Sequence, residues 1–174
     1  ANELVTQITD LRKGKYIEED LKNNAPLDFC IGVAGYPEKH FEAPNMEQDL
    51  VYLKQKVDAG ADYIVTQMFF DNQVYYNFVR KCREVGITVP IIPGIKPINL
   101  LNQLTVLPKI FSIDIPQQLA KELSKCKSNI DAAKVGTEWA IEQAKDLIVN
   151  KVPSLHIYTY GVSDNVKEIV KTVF

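Results

Sequence analysis

Four short apolar runs, at 29–36, 63–70, 90–95 and 155–160, recur along the chain with helical periods between them. Each is near-continuous rather than alternating, as expected of a strand covered on both faces. Strands that alternate with helices predict a parallel sheet joined by right-handed crossovers. After the first run, Met46, Leu50, Leu53 and Val57 fall on one helical face, with an Asn45-x-x-Gln48 capping box before it and Gly60 as its stop. After the second, Val74, Phe78, Cys82 and Val85 do the same and Gly86 ends them. The third run is followed by segments 98–107 and 116–126. A long amphipathic stretch then places Ile130, Ala133, Thr137, Ala140, Ile141, Ala144 and Ile148 on one side. A helix over 163–173 follows the fourth run.

With a leading helix, the order is α and then four βα units, with extra helix after the third strand. Two α/β architectures of parallel βα units fit: an open doubly wound sheet, or part of a closed (β/α)8 barrel. A whole barrel takes eight βα units over about 250 residues, so the four units in these 174 correspond to about half of one. No linker or repeat divides the chain, and residues 1–174 are read as a single domain. Its most polar connection is 13–27.

The balance of 20 Lys+Arg against 22 Asp+Glu, net −2, lacks the clustered basic excess that a nucleic-acid footprint needs. No run approaches the roughly 18 apolar residues of a membrane span, and the first residues lack the basic-then-apolar order of a signal peptide, so a cytoplasmic protein is expected. The three cysteines have no zinc spacing. Cys30 and Cys82 read as small buried hydrophobes. Cys126, in SKCKS, reads as a solvated surface thiol, with a lysine-activated one as the alternative.

In either architecture ligands bind at the carboxyl ends of the strands. Those tips are polar: Tyr36-Pro37-Glu38-Lys39-His40, Thr66-Gln67, Gly94-Ile95-Lys96 and Thr159-Tyr160-Gly161. Tyr36, Gln67, Lys96 and Tyr160 are expected together at one end of the sheet. A glutamine in an apolar strand must be paired if buried, since an unsatisfied amide costs about 1–3 kcal/mol; Gln67 is either a core amide bonded to backbone or a ligand contact. Asp49, Tyr52 and Lys56 form a polar stripe that is either solvated or part of a site. His40 reads as a loop histidine or a ligand contact. No glycine-rich phosphate loop or nucleophile elbow occurs.

The joined block from Tyr36 to Asp71, GYPEKHFEA and then LKQKVDAGADYIVTQMFFD, resembles the 5,10-methylenetetrahydrofolate reductase family. Further matches in the family's order are Gly86-Ile87, Pro90-Ile91-Ile92-Pro93-Gly94-Ile95, Ile115-Pro116 and Leu155-His156-Ile157-Tyr158-Thr159. The resemblance implies the C-terminal half of a (β/α)8 TIM barrel. The implied flavoenzyme uses NADH or NADPH and FAD to reduce 5,10-methylenetetrahydrofolate to 5-methyltetrahydrofolate, in one-carbon metabolism and methionine biosynthesis. It implies that Tyr36, His40, Asp49, Tyr52, Gln55 and Lys56 contact FAD, with Ala1 near its adenine end. Gln67, Gln103 and Leu107 are implied at the folate site, and Gln67 also at the nicotinamide.

The family's fourth-strand motif continues YTLNR, whereas this chain reads Tyr158-Thr159-Tyr160-Gly161-Val162, leaving Lys167 as a substitute for the arginine. The family's general acid and its Arg-Gly-Asp segment belong to the other half, so no catalytic acid is assigned here. Raw strand edges imply association with that half or with a second copy, and no reductase activity for residues 1–174 alone. A noncatalytic half-barrel that serves binding or assembly is the alternative.

Overall fold

The computed structural model describes residues 1–18, 20–22, 24–159, 161 and 163–174. In chain order the elements are α1 (Asn2–Arg12), β1 (Gly32–Gly35), α2 (Met46–Asp58), β2 (Tyr63–Thr66), α3 (Asn72–Glu84), β3 (Ile91–Ile92), β4 (Gly94–Ile95), α4 (Gln103–Phe111), α5 (Gln117–Lys125), α6 (Asn129–Val149), β5 (His156–Ile157) and α7 (Asp164–Val173). β1, β2 and β3 pair in parallel in that order, with Val33 opposite Ile64 and Val65 opposite Ile92. β4 and β5 pair in parallel, with Ile95 opposite Ile157. The third apolar run is thus one extended segment interrupted at Pro93, which has no N–H to give to a ladder.

Side chains close the seam that Pro93 opens. The N–H of Gly94 donates to Thr66 Oγ1 at 2.9 Å, and the Tyr158 hydroxyl donates to the Thr66 carbonyl at 2.9 Å. A Cβ on Gly94 would run into that carbonyl and the Tyr158 ring, so this position needs a residue without one.

Ile64, Ile91 and Ile95 face the helices and pack with Leu50, Leu53, Phe78, Cys82, Ala140 and Ile169. Strand alternation sends Ala34, Val65 and Gly94 to the opposite face. A second core, with Met68, Phe70, Ile98, Leu107, Leu119 and Ala132, involves residues that follow the strands and those of α4, α5 and α6. α6 meets the segment after β4 so closely at Gly136 that a Cβ there would collide with the Ile98 backbone. α1 is held by Val5, which packs with Ile31 and Ala61, and by Asp62. That carboxylate accepts from the Arg12 guanidinium and the Ile31 N–H, both at 2.7 Å.

The helix boundaries follow the sequence signals closely. Asn45 accepts from the Gln48 N–H at 2.8 Å, and Gly60 (φ 116°) and Gly86 (φ 79°) take the left-handed turns that stop α2 and α3. Several expectations are corrected. Cys30 is exposed, because pairing begins only at Gly32 and the residues before it lie beyond the ladder of the outermost strand. Cys126 is half-buried against the second core, its Sγ 3.5 Å from the Glu122 carbonyl. The segment expected as helix over 98–107 begins its helix only at Gln103 and carries it through Pro108 to Phe111. On α6, Thr137, Ala140, Ile141 and Ala144 are buried as the period predicts, but its ends depart: Ile130 is 71% exposed and Ile148 is also exposed, with Ala132 and Leu147 buried beside them. Tyr36, Gln67 and Lys96 do follow the ends of parallel strands; Tyr160 and Val162 lie outside the described residues.

Past the end of β1, Glu38 reaches the loop between α4 and α5, where a carboxylate oxygen accepts from the Asp114 N–H. Burial, with Asp114 and Asp71 adding repulsion, pushes its carboxyl up to about 7 from an ordinary 4.5, against the lowering effect of the Asp114 N–H. The folded chain therefore holds this proton where the unfolded chain has lost it. The stability it supplies is full below 4.5 and is lost as pH rises to about 7. Glu38→Gln should flatten that part of the urea-midpoint profile and leave the variant the more stable one above the window. An unchanged slope would place the titration elsewhere. At the seam, Tyr158→Phe leaves the buried Thr66 carbonyl without this donor and should cost about 1–3 kcal/mol in urea unfolding, and a loss within error would remove the seam from the stability argument.

Candidate functional site

The chain leaves β1 at Gly35 and turns through Tyr36–Lys39, where Lys39 takes a left-handed conformation (φ 85°) and its ammonium folds back on the carbonyls of His40 (3.0 Å) and Ala43 (2.6 Å). Asp49, in the first turn of α2, accepts the His40 N–H at 2.9 Å and so ties this loop to the helix. The imidazole Nδ1 accepts the Glu42 N–H at 3.2 Å, which leaves Nε2 as its donor when neutral. The ring stands edge-on to Tyr36 with centroids 4.5 Å apart. From the last turn of α2, the Lys56 ammonium donates to the Ala34 carbonyl at 2.6 Å. Burial lowers its pKa, and Asp49 works in the opposite direction. Burial, then Asp49 and Glu42, raises that of Tyr36.

These side chains converge on one cavity of about 320 Å³, lined by Ala1, Asn2, Tyr36, His40, Glu42, Asp49, Tyr52, Gln55 and Lys56. Every residue expected at the cofactor is in that list. The stripe Asp49, Tyr52, Lys56 thus faces a concave surface, an outcome set by where α2 docks rather than by its own sequence. Chemically, the cavity offers two phenol rings, carboxylate and amide acceptors for hydroxyls, and a half-buried cation for an anion.

The residues expected at the substrate are spread more widely. Gln67 lies just past β2 rather than inside it. Its Oε1 accepts from the Met68 N–H at 3.0 Å and its backbone N–H donates to Gly35, so the backbone-bonded reading describes its oxygen. It shares a narrow crevice with Tyr36, Glu38, Phe111 and Ile113, next to the cavity through their common Tyr36. Gln103 accepts the N–H groups of Asn99 (2.7 Å) and Leu100 (3.1 Å), fastening the turn before α4. Leu107 is buried in the second core, and Lys167 is exposed and pairs with Asp164 at 3.1 Å.

Lys96 is 2% exposed, and burial lowers its pKa. Glu38, Asn2 and Glu42 were not singled out by sequence reasoning. For Glu38 the available signal was a carboxylate in a strand-tip motif; for Asn2 there was none. Among the described residues no cluster of metal-ligating side chains occurs.

Comparison with known proteins places these features in a family. A family model for methylenetetrahydrofolate reductase matches residues 5–173. A probable NADPH-dependent methylenetetrahydrofolate reductase of Caenorhabditis elegans is 42% identical over 161 residues, 91% of this chain and 24% of the relative. The 5,10-methylenetetrahydrofolate reductase of Escherichia coli is 39% identical over 133 residues, 76% of this chain and 45% of the relative. The chain therefore spans less than half the length of these relatives. A solved structure from Clostridium thermocellum, described as an uncharacterized protein that binds two copies of 5-methyl-5,6,7,8-tetrahydrofolic acid, superposes with a TM-score of 0.54 at 17% identity. It covers 84% of this chain and 53% of that one, a likeness of fold. The parallel βα units are part of a TIM barrel, and the chain belongs to the methylenetetrahydrofolate reductase family.

Proposed function

We propose that this chain supplies one side of the active site of a flavin-dependent methylenetetrahydrofolate reductase, which uses NADH or NADPH to reduce 5,10-methylenetetrahydrofolate to 5-methyltetrahydrofolate. The observation that carries this reading is the convergence of Tyr36, His40, Asp49, Tyr52, Gln55 and Lys56 on one cavity at the carboxyl end of β1.

The residues present fit FAD. Lys56 is a half-buried cation with one carbonyl partner and suits a diphosphate. Tyr36 and Tyr52 offer ring surface to a ring system, and Asp49 and Gln55 offer acceptors to hydroxyls. When bound, FAD would supply the two-electron chemistry, accepting hydride from the nicotinamide and passing it to the folate. The chain's own residues bind and orient. The Asp49 bond to the His40 N–H fixes the loop that carries Tyr36, and Gln67 holds an amide beside that loop for a pterin edge or a nicotinamide.

Among the described residues β1 pairs on one edge only, and Gly32 and Ala34 on its inner face are exposed. Further βα units would cover both in a closed barrel. They would also supply the general acid, so residues 1–174 alone should be inactive; a second copy is the other way of covering such an edge. A cytoplasmic setting accords with this chemistry, and among the described residues no helix is long and apolar enough to cross a membrane.

Lys56→Ala in the full-length protein should weaken FAD retention by roughly ten-fold, the scale of one charge-assisted hydrogen bond, in a flavin-release titration. Unchanged retention would return Lys56 to a solely structural role. Gln67→Ala should lower kcat/KM for the folate by roughly ten-fold while flavin affinity holds. Gln67→Glu, which keeps the acceptor for Met68 but removes the amide donor, separates substrate contact from loop support. Wild-type folate kinetics in both variants would make Gln67 a structural amide, and a full-length protein that binds no flavin would favour the assembly module.

A further inference from the structure

One side chain ties together two loops that are 76 residues apart in the chain. Glu38 follows β1, and its carboxylate accepts the N–H of Asp114, in the turn between α4 and α5. Among the described residues no other hydrogen bond joins the loop after β1 to that turn. The left-handed Ser112 (φ 52°) ends α4, and Ile113 is buried in the second core. The turn is therefore held on one side by packing and on the other by Glu38. Between the two loops runs a crevice too narrow to hold a water molecule, walled by Tyr36 and Pro37 on one side and by Phe111 and Ile113 on the other, which Gln67 also lines.

The Gln67 oxygen accepts the Met68 N–H, whereas its Nε2 has no acceptor among the described residues. That amide N–H is left for a ligand, and Phe111, on the same crevice, offers the face of a ring to a flat ring system. Where Phe111 stands relative to Gln67 depends on where α4 ends. The Glu38 bond is what ties that end to the loop carrying Tyr36.

We propose that Glu38 is a positioning residue for the folate: by holding the Asp114 N–H it keeps Phe111 and Gln67 together as one wall of the substrate site. This role rests on the flavin and folate reading; the tie itself does not.

The tie is sensitive to charge. Burial disfavours an ionised Glu38 most, the Asp114 N–H partly offsets this, and the carboxylates of Asp114 and, from the cap of α3, Asp71 add repulsion. On Glu38's own loop the Lys39 ammonium is turned to the carbonyls of His40 and Ala43, and Tyr36 lines the crevice. A crevice that favours the neutral carboxyl is loosened when that carboxyl ionises. The tie is thus tightest below 4.5 and weakens as pH rises to about 7.

Amide hydrogen exchange and kinetics on the full-length protein test the tie and the role separately. At the acid end of that window, Glu38→Ala should speed exchange of the Asp114 amide and raise the KM for folate, each by about five-fold, the scale of one hydrogen bond, while flavin affinity holds. Glu38→Gln keeps an acceptor without the charge, so it should restore the KM and remove the rise in KM that the wild type shows toward about 7. Asp114→Asn keeps the N–H and removes a repelling carboxylate, so it should make that rise smaller. Equal exchange at Asp114 in wild type and the alanine variant would overturn the tie. Faster exchange with an unchanged folate KM would overturn the positioning role. If the alanine variant does not fold, a wild-type pH dependence of KM in both the glutamine and the asparagine variants overturns the proposal. A full-length protein that reduces no folate, yet exchanges faster at Asp114 without Glu38, would overturn the functional reading and the role with it, and leave the tie standing.

Discussion

Two parallel strands cannot be joined by a hairpin, so each connection must run back along the sheet before the next strand begins. Every strand then ends at the same edge, and whatever follows the strands is gathered there. Tyr36, Gln67 and Lys96 owe their common placement to that rule and not to any attraction among themselves. The rule also makes continuity of the sheet matter, and Pro93 threatens it by removing a ladder donor. Thr66, Gly94 and Tyr158 repair the break with two side-chain hydrogen bonds, and the repair works only because Gly94 leaves room for the tyrosine ring.

The cavity depends on one helix being held at both ends. At its start, Asn45 caps it and Asp49 reaches back to the His40 N–H, so the loop after β1 and the first turn of α2 form one unit. At its end, Lys56 returns to the Ala34 carbonyl of the strand that precedes it. The polar stripe between these anchors is therefore presented by a braced helix. Rigid support of this kind reduces the ordering cost a ligand meets on binding.

The sequence made the repeating βα order legible because helix stops and caps are local chemistry: Asn45, Gly60 and Gly86 act within one turn of their own positions. It also made the cavity's lining legible, through a motif long enough to fix residue by residue what each position resembles. Facts set by distant partners were harder to read. Cys30 lies inside an apolar run, but its exposure depends on where the ladder begins. Ile130 fits the helical period, but it lies in the first turn of α6 and is exposed, while Thr137, Ala140, Ile141 and Ala144 of the same stripe are buried. Gln103 is implied at the folate site by resemblance, but the turn at Asn99 and Leu100 claims its oxygen.

Lys56 shows why fold and site are hard to separate in this chain. A lysine on an edge strand's carbonyl is an ordinary way of blunting a sheet edge. Here the same ammonium lines the cavity, and burial makes its charge harder to hold. One carbonyl and the influence of Asp49 offset only part of that penalty, and an anionic ligand would offset more of it. The ammonium that takes the Ala34 carbonyl at the β1 edge is thus also the group an anion would stabilise, so strand and cavity meet at one side chain.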